Sequence, residues 1–198
     1  MGAVGTIAAA MSSDTRTSAS ALPAGDDRAT CAHPRRKNTR APHIDYRAPA
    51  AYFVTLCTEG RVCVFGEVDG DGVFLPTPLG DAVQRELLAL PARFPRVSLD
   101  ASVVMPNHVH ALIVLHDLAR ARLVSTAPAS SSHNVSLSDV VGAFKSLSAR
   151  ASGGPLWQRS FHDHVIRDAV DLAFHRRYID ENPTRWALDE LNPEAPRV

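Results

Sequence analysis

The 198 residues of this chain are enough to bury a sizeable core in one globular domain. Hydrophobic residues make up 45% of the sequence and no apolar run approaches the roughly 18 residues of a membrane span, so we expect no membrane segment. The formal net charge of zero argues against a strongly basic, non-specific nucleic-acid binder. Local basic segments at 35–40, 145–150 and 159–185 nevertheless permit a basic surface.

The number of cysteines and the composition of the first ten residues indicate the cellular compartment in which we expect the protein. The three cysteines, Cys31, Cys57 and Cys63, are odd in number and form no CxxC pair, a pattern typical of a reducing cytosol. The first ten residues lack an early basic cluster and a long apolar core, which indicates no signal peptide. We therefore expect a cytoplasmic protein.

The first half of the chain predicts an N-terminal arm followed by β structure. Residues 1–44 are rich in Ala, Ser, Thr, Gly and Pro without apolar periodicity, and indicate a disordered or loosely attached arm. The ordered domain should cover 45–198. Its first strand is predicted at 52–58, and a β-hairpin at 61–76 has its turn in the Asp-Gly-Asp-Gly segment 69–72.

The rest of the chain alternates helices and strands. Leucine and valine at three-to-four-residue spacing predict a helix at 78–94, and two strands joined tightly through Pro106 and Asn107 follow at 97–105 and 108–115. An Ala/Ser-rich loop is predicted at 116–135. It is followed by a helix at 136–150, a strand at 157–166 and a last helix at 170–182. Without the hairpin and the last helix, the order is βαββαβ, an α+β ferredoxin-like sandwich.

Two histidines at the start of the second of these adjacent strands are the first candidate site. His108 and His110 share one face of the strand while Val109 points to the other, and two neighbouring imidazoles can bind a divalent metal. An isolated His-x-His pair is more often partly buried and hydrogen-bonded. His162 and His164 have the same spacing, and spacing does not decide which pair is the metal site.

A tyrosine in the last helix is the second candidate. Tyr178 and Asn182 are four residues apart, so they lie on one helical face. The phenol could attack a phosphorus atom while the Asn182 amide oxygen completes the metal site. The ordinary alternative is a tyrosine ring that packs on the sheet.

Several further side chains are candidates for contact with DNA. Lysine and arginine would contact phosphates, tryptophan would stack on a base, and glutamine would read adenine. A buried core tryptophan is the commoner outcome. The candidates are Lys145, Trp157, Gln158, Arg159, His164, Arg167 and Arg177.

Taken together, these stretches resemble the single-tyrosine HUH transposases, and most closely the REP-associated tyrosine transposases. The resemblance extends over about residues 45–190 and is carried by five motifs: Tyr-Phe-Val-Thr at 52–55, Leu-Asp-Ala-Ser-Val-Val-Met-Pro-Asn-His-Val-His at 99–110, Val-Gly-Ala-Phe-Lys-Ser at 141–146, Leu-Trp-Gln-Arg-Ser-Phe-His-Asp-His-Val-Ile-Arg at 156–167, and Tyr-Ile-Asp-Glu-Asn-Pro at 178–183.

The resemblance implies a function and a site. It implies a metal-dependent transposase that cleaves and rejoins single-stranded or hairpin DNA, with Mg²⁺ or Mn²⁺ as the metal. His108 and His110 match the metal-binding pair, Tyr178 matches the nucleophile that forms a 5′-phosphotyrosine, and Asn182 matches a polar metal ligand. A monomer or a homodimer would associate with the nucleoid when bound to DNA.

Two other functions are compatible with the same residues. A regulator of the same fold would bind DNA hairpins without cleaving them. A metal-dependent hydrolase of a small phosphoester would use His108 and His110 but form no tyrosine adduct.

Overall fold

The computed structural model describes residues 44–117 and 135–195. Residues 1–43 of the predicted arm lie outside the described residues. Residues 118–134 of the predicted loop lie outside them as well. The domain boundary near residue 45 therefore stays a prediction.

The strands form a four-stranded sheet and a separate short hairpin. In chain order they are β1 Ala50–Cys57, β2 Gly66–Val68, β3 Phe74–Pro76, β4 Val97–Met105, β5 His108–Leu115 and β6 His162–Val165. The large sheet has the order β4-β5-β1-β6, and all of its neighbouring strands are antiparallel. The hairpin consists of β2 and β3.

Four α-helices and two short 3-10 segments complete the described part of the chain. The helices are α1 Pro78–Leu88, α2 Leu90–Arg93, α3 Leu137–Ala149 and α4 Ala169–Glu181, and the 3-10 segments are Glu59–Arg61 and Pro183–Leu188. Leaving out the hairpin and α4, the elements follow the βαββαβ order. The predicted ferredoxin-like α+β class is confirmed. Within the described residues, no helix is long and apolar enough to cross a membrane.

The core lies on one face of the sheet, because side chains of each strand alternate between its two faces. On β5, alternate positions from Val109 to Leu115 join the buried cluster, and on β1 so do Tyr52, Val54 and Leu56. Helices α1 and α3 supply the other side of this core, for example through Phe144. The opposite face of the sheet is left for α4, which packs against β4 and β5.

Three predicted junctions are confirmed. Met105 pairs with His108 across the tight Pro-Asn turn between β4 and β5. The hairpin turn is closed by Asp69, whose carboxylate accepts from the Val73 amide at 2.8 Å. A capping box joins Ser136 and Asp139 at the start of α3, and it satisfies backbone N–H groups that the helix leaves open.

The structure has helix over nearly all of the predicted 78–94, but the helix is interrupted at Ala89. Proline at position 91 has no N–H to bond to the carbonyl of Leu87, and its ring would clash with that carbonyl in a continuous helix. Helix α1 accordingly ends at Leu88, and a single short turn, α2, follows.

The last strand is shorter than the predicted 157–166: after the Gln158 amide, which donates to the Cys57 carbonyl at 2.9 Å, residues 159–161 leave the sheet. Trp157 makes only an isolated bridge to Thr58, and β6 begins at His162. The carbonyls of Gln158 and Ser160 accept from the Lys145 ammonium group at 2.7 and 2.8 Å. The Lys145 side chain therefore satisfies backbone carbonyls that a neighbouring strand would otherwise bind.

Two helical glycines give a matched test of the packing. A Cβ at Gly80 in α1 would lie 2.0 Å from the Phe65 carbonyl oxygen, whereas one at Gly142 in α3 meets nothing within 4 Å. We expect Gly80→Ala to lower the free energy of unfolding by about 1–3 kcal/mol. Gly142→Ala should raise it by up to about 1 kcal/mol, because alanine is the better helix former. Urea unfolding measures both; equal effects would contradict the close packing of α1 on the Phe65 backbone.

Candidate functional site

Two buried imidazoles form the centre of the polar side of the sheet. His108 is 0% and His110 is 2% exposed, and their ring centroids lie 4.5 Å apart. The Nε2 atoms of both rings are buried without a hydrogen-bond partner, and so is Oδ1 of Asn182. Such atoms are costly to bury unpaired, so they mark a place where a ligand would be bound.

Asn107 fixes the orientation and tautomer of His108. Its Nδ2 group donates to the carbonyls of Arg61 and Leu191 at 3.0 and 2.7 Å, which turns its Oδ1 toward the imidazole. The Oδ1 atom can only accept, so Nδ1 of His108, 2.9 Å away, carries the proton. The lone pair of His108 is therefore on Nε2, as a metal ligand requires.

His110 is held by β1. Its Nδ1 lies 2.9 Å from the Thr55 hydroxyl, and its ring stacks on Phe53 at 5.1 Å between centroids. A proton donated from Nδ1 to the hydroxyl leaves Nε2 of His110 free to ligate. Both Nε2 atoms then offer lone pairs on the same side of the sheet.

Burial keeps both imidazoles neutral at ordinary pH. It lowers the pKa of His108 to about 4, against the opposing effect of the nearby Asp189 carboxylate. It lowers the pKa of His110 well below the usual value, and the neighbouring His108 and His175 add to that shift. Neutral imidazole is the form that binds metal.

Helix α4 places the Tyr178 ring over the histidine pair. The ring lies 5.2 Å from that of His110, edge-on at 70°, and it meets the edge of Phe53 at 5.8 Å. Burial and then the Asp189 charge raise the pKa of Tyr178, while the Asn182 side chain lowers it. The phenol is therefore protonated at neutral pH.

Oxygen donors reach the pair from the end of α4 and from the segment after it. Asn182 is buried, and its Nδ2 donates to Asp189 at 3.3 Å, which leaves its Oδ1 without a partner. Asp189 groups with His108 and His110, with all ligand atoms within 4.8 Å of one another. Two imidazoles with carboxylate and amide oxygens are a suitable set for a divalent cation.

The structure gives Trp157 a place in the core. Its side chain is 8% exposed, packs against Phe65 and Phe144, and donates from Nε1 to the Ser148 hydroxyl at 2.9 Å. The indole is thus not available to stack on a base, so this placement favours the core interpretation over DNA contact.

The other predicted DNA-contact residues are not gathered in one place. Lys145 is half-buried in its bonds to two backbone carbonyls, and burial lowers its pKa to about 8. Gln158, whose carbonyl it binds, is partly buried. The arginines at the three remaining positions are exposed: Arg159 near Lys145, Arg167 before α4, and Arg177 in an open groove between α4 and β4.

The competing histidine pair lies on the same face of the sheet as His108 and His110. Thr55 pairs with His110 on one side and with His162 on the other, so the two pairs are two strands apart. His162 is exposed, and His164 is hydrogen-bonded to Asp171 at 2.8 Å. The unpartnered buried nitrogens are those of His108 and His110, which favours that pair as the metal site next to Tyr178.

Three residues of the site were missed by reasoning from the sequence. Asn107 was interpreted only as a turn former, although a polar residue beside a paired histidine is a recognisable orienting position. Phe53 sits at an alternate position of a predicted strand, on the face of the histidines. Asp189 follows the helix-ending proline, where no periodicity relates it to the site.

Comparisons with known proteins identify relatives by sequence and by fold. No family model matches the chain. An uncharacterized protein of Haemophilus influenzae is 29% identical over 167 residues, which cover 79% of this chain and 92% of the relative. A second Haemophilus influenzae protein, described as a "Putative REP-associated tyrosine transposase", is 28% identical over 96 residues, 48% of this chain and 54% of its own length.

A solved structure extends the comparison to the fold. A REP-associated tyrosine transposase bound to a REP hairpin matches with a TM-score of 0.50 and 19% identity over 74% of each chain. This chain has the fold of a REP-associated tyrosine transposase. The resemblance stated from the sequence motifs is thereby confirmed.

The depressed pKa of His108 has a consequence for stability. The unfolded chain binds a proton near pH 6.5, whereas the folded protein does so only near pH 4. The free energy of unfolding of the metal-free protein should therefore fall as pH drops between these values, by about 3 kcal/mol for this ring. Urea unfolding in a chelator, for the wild type and for His108→Gln, isolates this contribution. An identical pH dependence in both proteins would contradict it.

Proposed function

We propose that this protein is a metal-dependent single-strand DNA transposase and endonuclease that cleaves and rejoins DNA through Tyr178. The observation that carries the proposal is the contact of the Tyr178 ring with His110, which lies beside His108 in a pair of buried imidazoles whose Nε2 atoms have no partner. A small-phosphoester hydrolase would need no such tyrosine over its metal ligands. The resemblance to REP-associated tyrosine transposases supports the same assignment.

Four side chains would hold the cation in this proposal. His108 and His110 supply nitrogen, and Asn182 and Asp189 supply oxygen. Oxygen donors together with phosphate and water favour a hard cation, so Mg²⁺ or Mn²⁺ is the proposed metal. A bound divalent cation would polarise the scissile phosphate and stabilise charge on its oxygens.

Tyr178 performs the covalent step. Its phenolic oxygen attacks phosphorus, the new bond joins tyrosine to the 5′-phosphate, and the bond from phosphorus to the 3′-oxygen breaks. The phenol gives up its proton, and the departing 3′-oxygen gains one. In the reverse direction, a 3′-hydroxyl attacks the phosphotyrosine and releases Tyr178, so one strand is joined to another without loss of bond energy.

The charges around Tyr178 explain why cleavage should depend on a cation. The Asp189 carboxylate and burial both disfavour the phenolate, because each raises the pKa of Tyr178. A divalent cation bound by Asp189 and the histidines would offset this negative charge and so stabilise the Tyr178 phenolate next to the bound phosphate. The tyrosine is thus kept inactive as a nucleophile until the site is complete.

The proposed substrate is single-stranded or hairpin DNA. The matching solved transposase is bound to a REP hairpin, which supports hairpin DNA for this chain. Exposed arginines near the site, at 167 and 177, are suited to phosphate contacts. An open groove lined by Arg176 and Arg177 runs between α4 and the edge strand β4, and could follow a strand that leaves the site.

Tyr178→Phe is the direct test of the nucleophile. The substitution removes the phenolic oxygen and keeps the ring that packs on His110 and Phe53, so the fold should be retained. With a labelled hairpin oligonucleotide and Mn²⁺, the wild type should give a covalent protein–DNA band on a denaturing gel and the variant none. The control is hairpin binding by gel shift, which the variant should keep.

Two outcomes contradict parts of this proposal. An adduct that persists in Tyr178→Phe would exclude Tyr178 as the nucleophile. Hairpin binding without cleavage by the wild type, under each of several divalent metals, would instead assign the protein as a hairpin-binding regulator.

Asp189→Asn tests whether this carboxylate ligates the metal. Asparagine keeps an oxygen to accept from the Leu191 amide, a bond of 2.7 Å in the structure, but loses the charge. We expect Mn²⁺ affinity, measured by calorimetry, to fall at least about tenfold. Glu190→Gln is the matched control, since its carboxylate also acts on Tyr178 from an exposed position. An equal loss in both variants would indicate general electrostatic attraction and contradict ligation by Asp189.

A further inference from the structure

A second cluster of ligand-type side chains lies on the same side of the sheet. It consists of His164 from β6 with Asp171 and His175 from α4, and their ligand atoms lie within 4.8 Å of one another. His175 packs against Phe53, the ring that also contacts His110. The cluster is thus separate from the first site and adjacent to it.

Direct contacts already join the three side chains through the Asp171 carboxylate. Nε2 of His164 lies 2.8 Å from one Asp171 oxygen, and Nδ1 of His175 lies 3.0 Å from the other. The two imidazole rings stack with centroids 4.8 Å apart and planes 22° apart. Asp171 and His175 are four residues apart on α4, which keeps both on one helical face.

We propose that His164, Asp171 and His175 form a second metal site, for a divalent transition metal of the Zn²⁺ type. Two imidazoles and one carboxylate suit Zn²⁺, Co²⁺ or Ni²⁺ better than Mg²⁺, which prefers oxygen ligands. This set has fewer oxygen donors than the first site, so the two sites should differ in metal preference. The proposal does not depend on Tyr178 being a nucleophile.

An ion would enter the cluster between the Asp171 carboxylate and the two ring nitrogens. Ligand atoms at about 2.0–2.1 Å from a tetrahedral Zn²⁺ lie about 3.3 Å apart. The two nitrogen–oxygen separations, 2.8 and 3.0 Å, would widen by about half an ångström, and the two ring nitrogens already lie within 4.8 Å of each other. The side chains are partly buried, so water has access to a fourth position.

The surroundings hold the carboxylate in place. The Arg167 amide donates to Asp171 Oδ2 at 3.0 Å, and the Asp171 carbonyl accepts from Nδ1 of His175 at 2.9 Å. His175 would exchange this backbone bond for the metal. The hydrogen bond from His164 and the Arg167 amide keep the pKa of Asp171 below its usual value, so the carboxylate is ionised and ready to ligate.

An ion at this position would attach the first half of α4 to the sheet. In α4 itself only Ile179 is buried, and the two large apolar side chains near its start, Val170 and Phe174, are 80% and 55% exposed. Apolar packing therefore holds this part of the helix weakly. A bridge from β6 to His175, one turn before Tyr178, would fix the helix that carries the tyrosine.

Metal stoichiometry tests the proposal on the full-length protein. Titration with Zn²⁺ by calorimetry, and with Co²⁺ by visible absorption, should give two equivalents for the wild type. His164→Gln and His175→Gln should each leave one, and the double variant His108→Gln/His110→Gln should also leave one. His162→Gln is the matched control, an exposed histidine on the same strand face, and should keep two.

The outcomes separate this inference from the proposed function. Metal binding that is unchanged in His164→Gln and His175→Gln, whether the wild type binds one equivalent or two, would overturn the second site whatever the cleavage assay shows. A single wild-type equivalent that is lost in these variants but kept in His108→Gln/His110→Gln would support the second site and contradict the first. Should these variants fail to fold, nitrogen NMR of the wild type with labelled histidine decides. Zn²⁺ should shift Nε2 of His164 and Nδ1 of His175; shifts confined to His108 and His110 would overturn it.

Discussion

The site depends on one constraint: two neutral imidazoles are buried on the polar face of β5 with their Nε2 atoms unpaired. A buried polar atom without a partner costs about 1–3 kcal/mol, and here there are two on one strand. The alternation of the strand makes this arrangement possible, because Val109 and the alternate positions after it, up to Leu115, face the apolar core and anchor the strand. The same packing that stabilises the sheet therefore holds the two imidazoles rigid.

The polar surroundings of the pair are as specific as the pair itself. Asn107 donates both amide hydrogens to carbonyls from distant segments, at Arg61 and Leu191, and so has only its oxygen left for His108. One turn residue thus connects the 3-10 segment after β1, the C-terminal segment and the His108 ring. The orientation of this ring is fixed by long-range backbone contacts, which explains why the ring can be buried without losing its tautomer.

Sequence periodicity predicted the features that depend on the local repeat of a strand or a helix. The exact bounds of β4 and β5, the shared face of the histidines and the position of Tyr178 in the last helix all follow from spacing of two or about 3.6 residues. Asp189 and the pairing of His164 with His175 could not be predicted this way, since both arise where separate segments meet. Spacing suggested a partner for His164 two residues away, whereas the fold supplies one from a helix.

Charge balance links the tyrosine to the remainder of the site. Neutral histidines, an amide and one carboxylate carry a single negative charge, and burial together with that charge raises the pKa of Tyr178. A divalent cation would turn the net charge to plus one, which a phosphodiester then neutralises. Bound metal and bound DNA would thus each strengthen the binding of the other. The Tyr178 phenolate would be stabilised only when both are bound. A site of this charge composition would protect the tyrosine from reaction in their absence, as the proposed cleavage and rejoining of DNA would require.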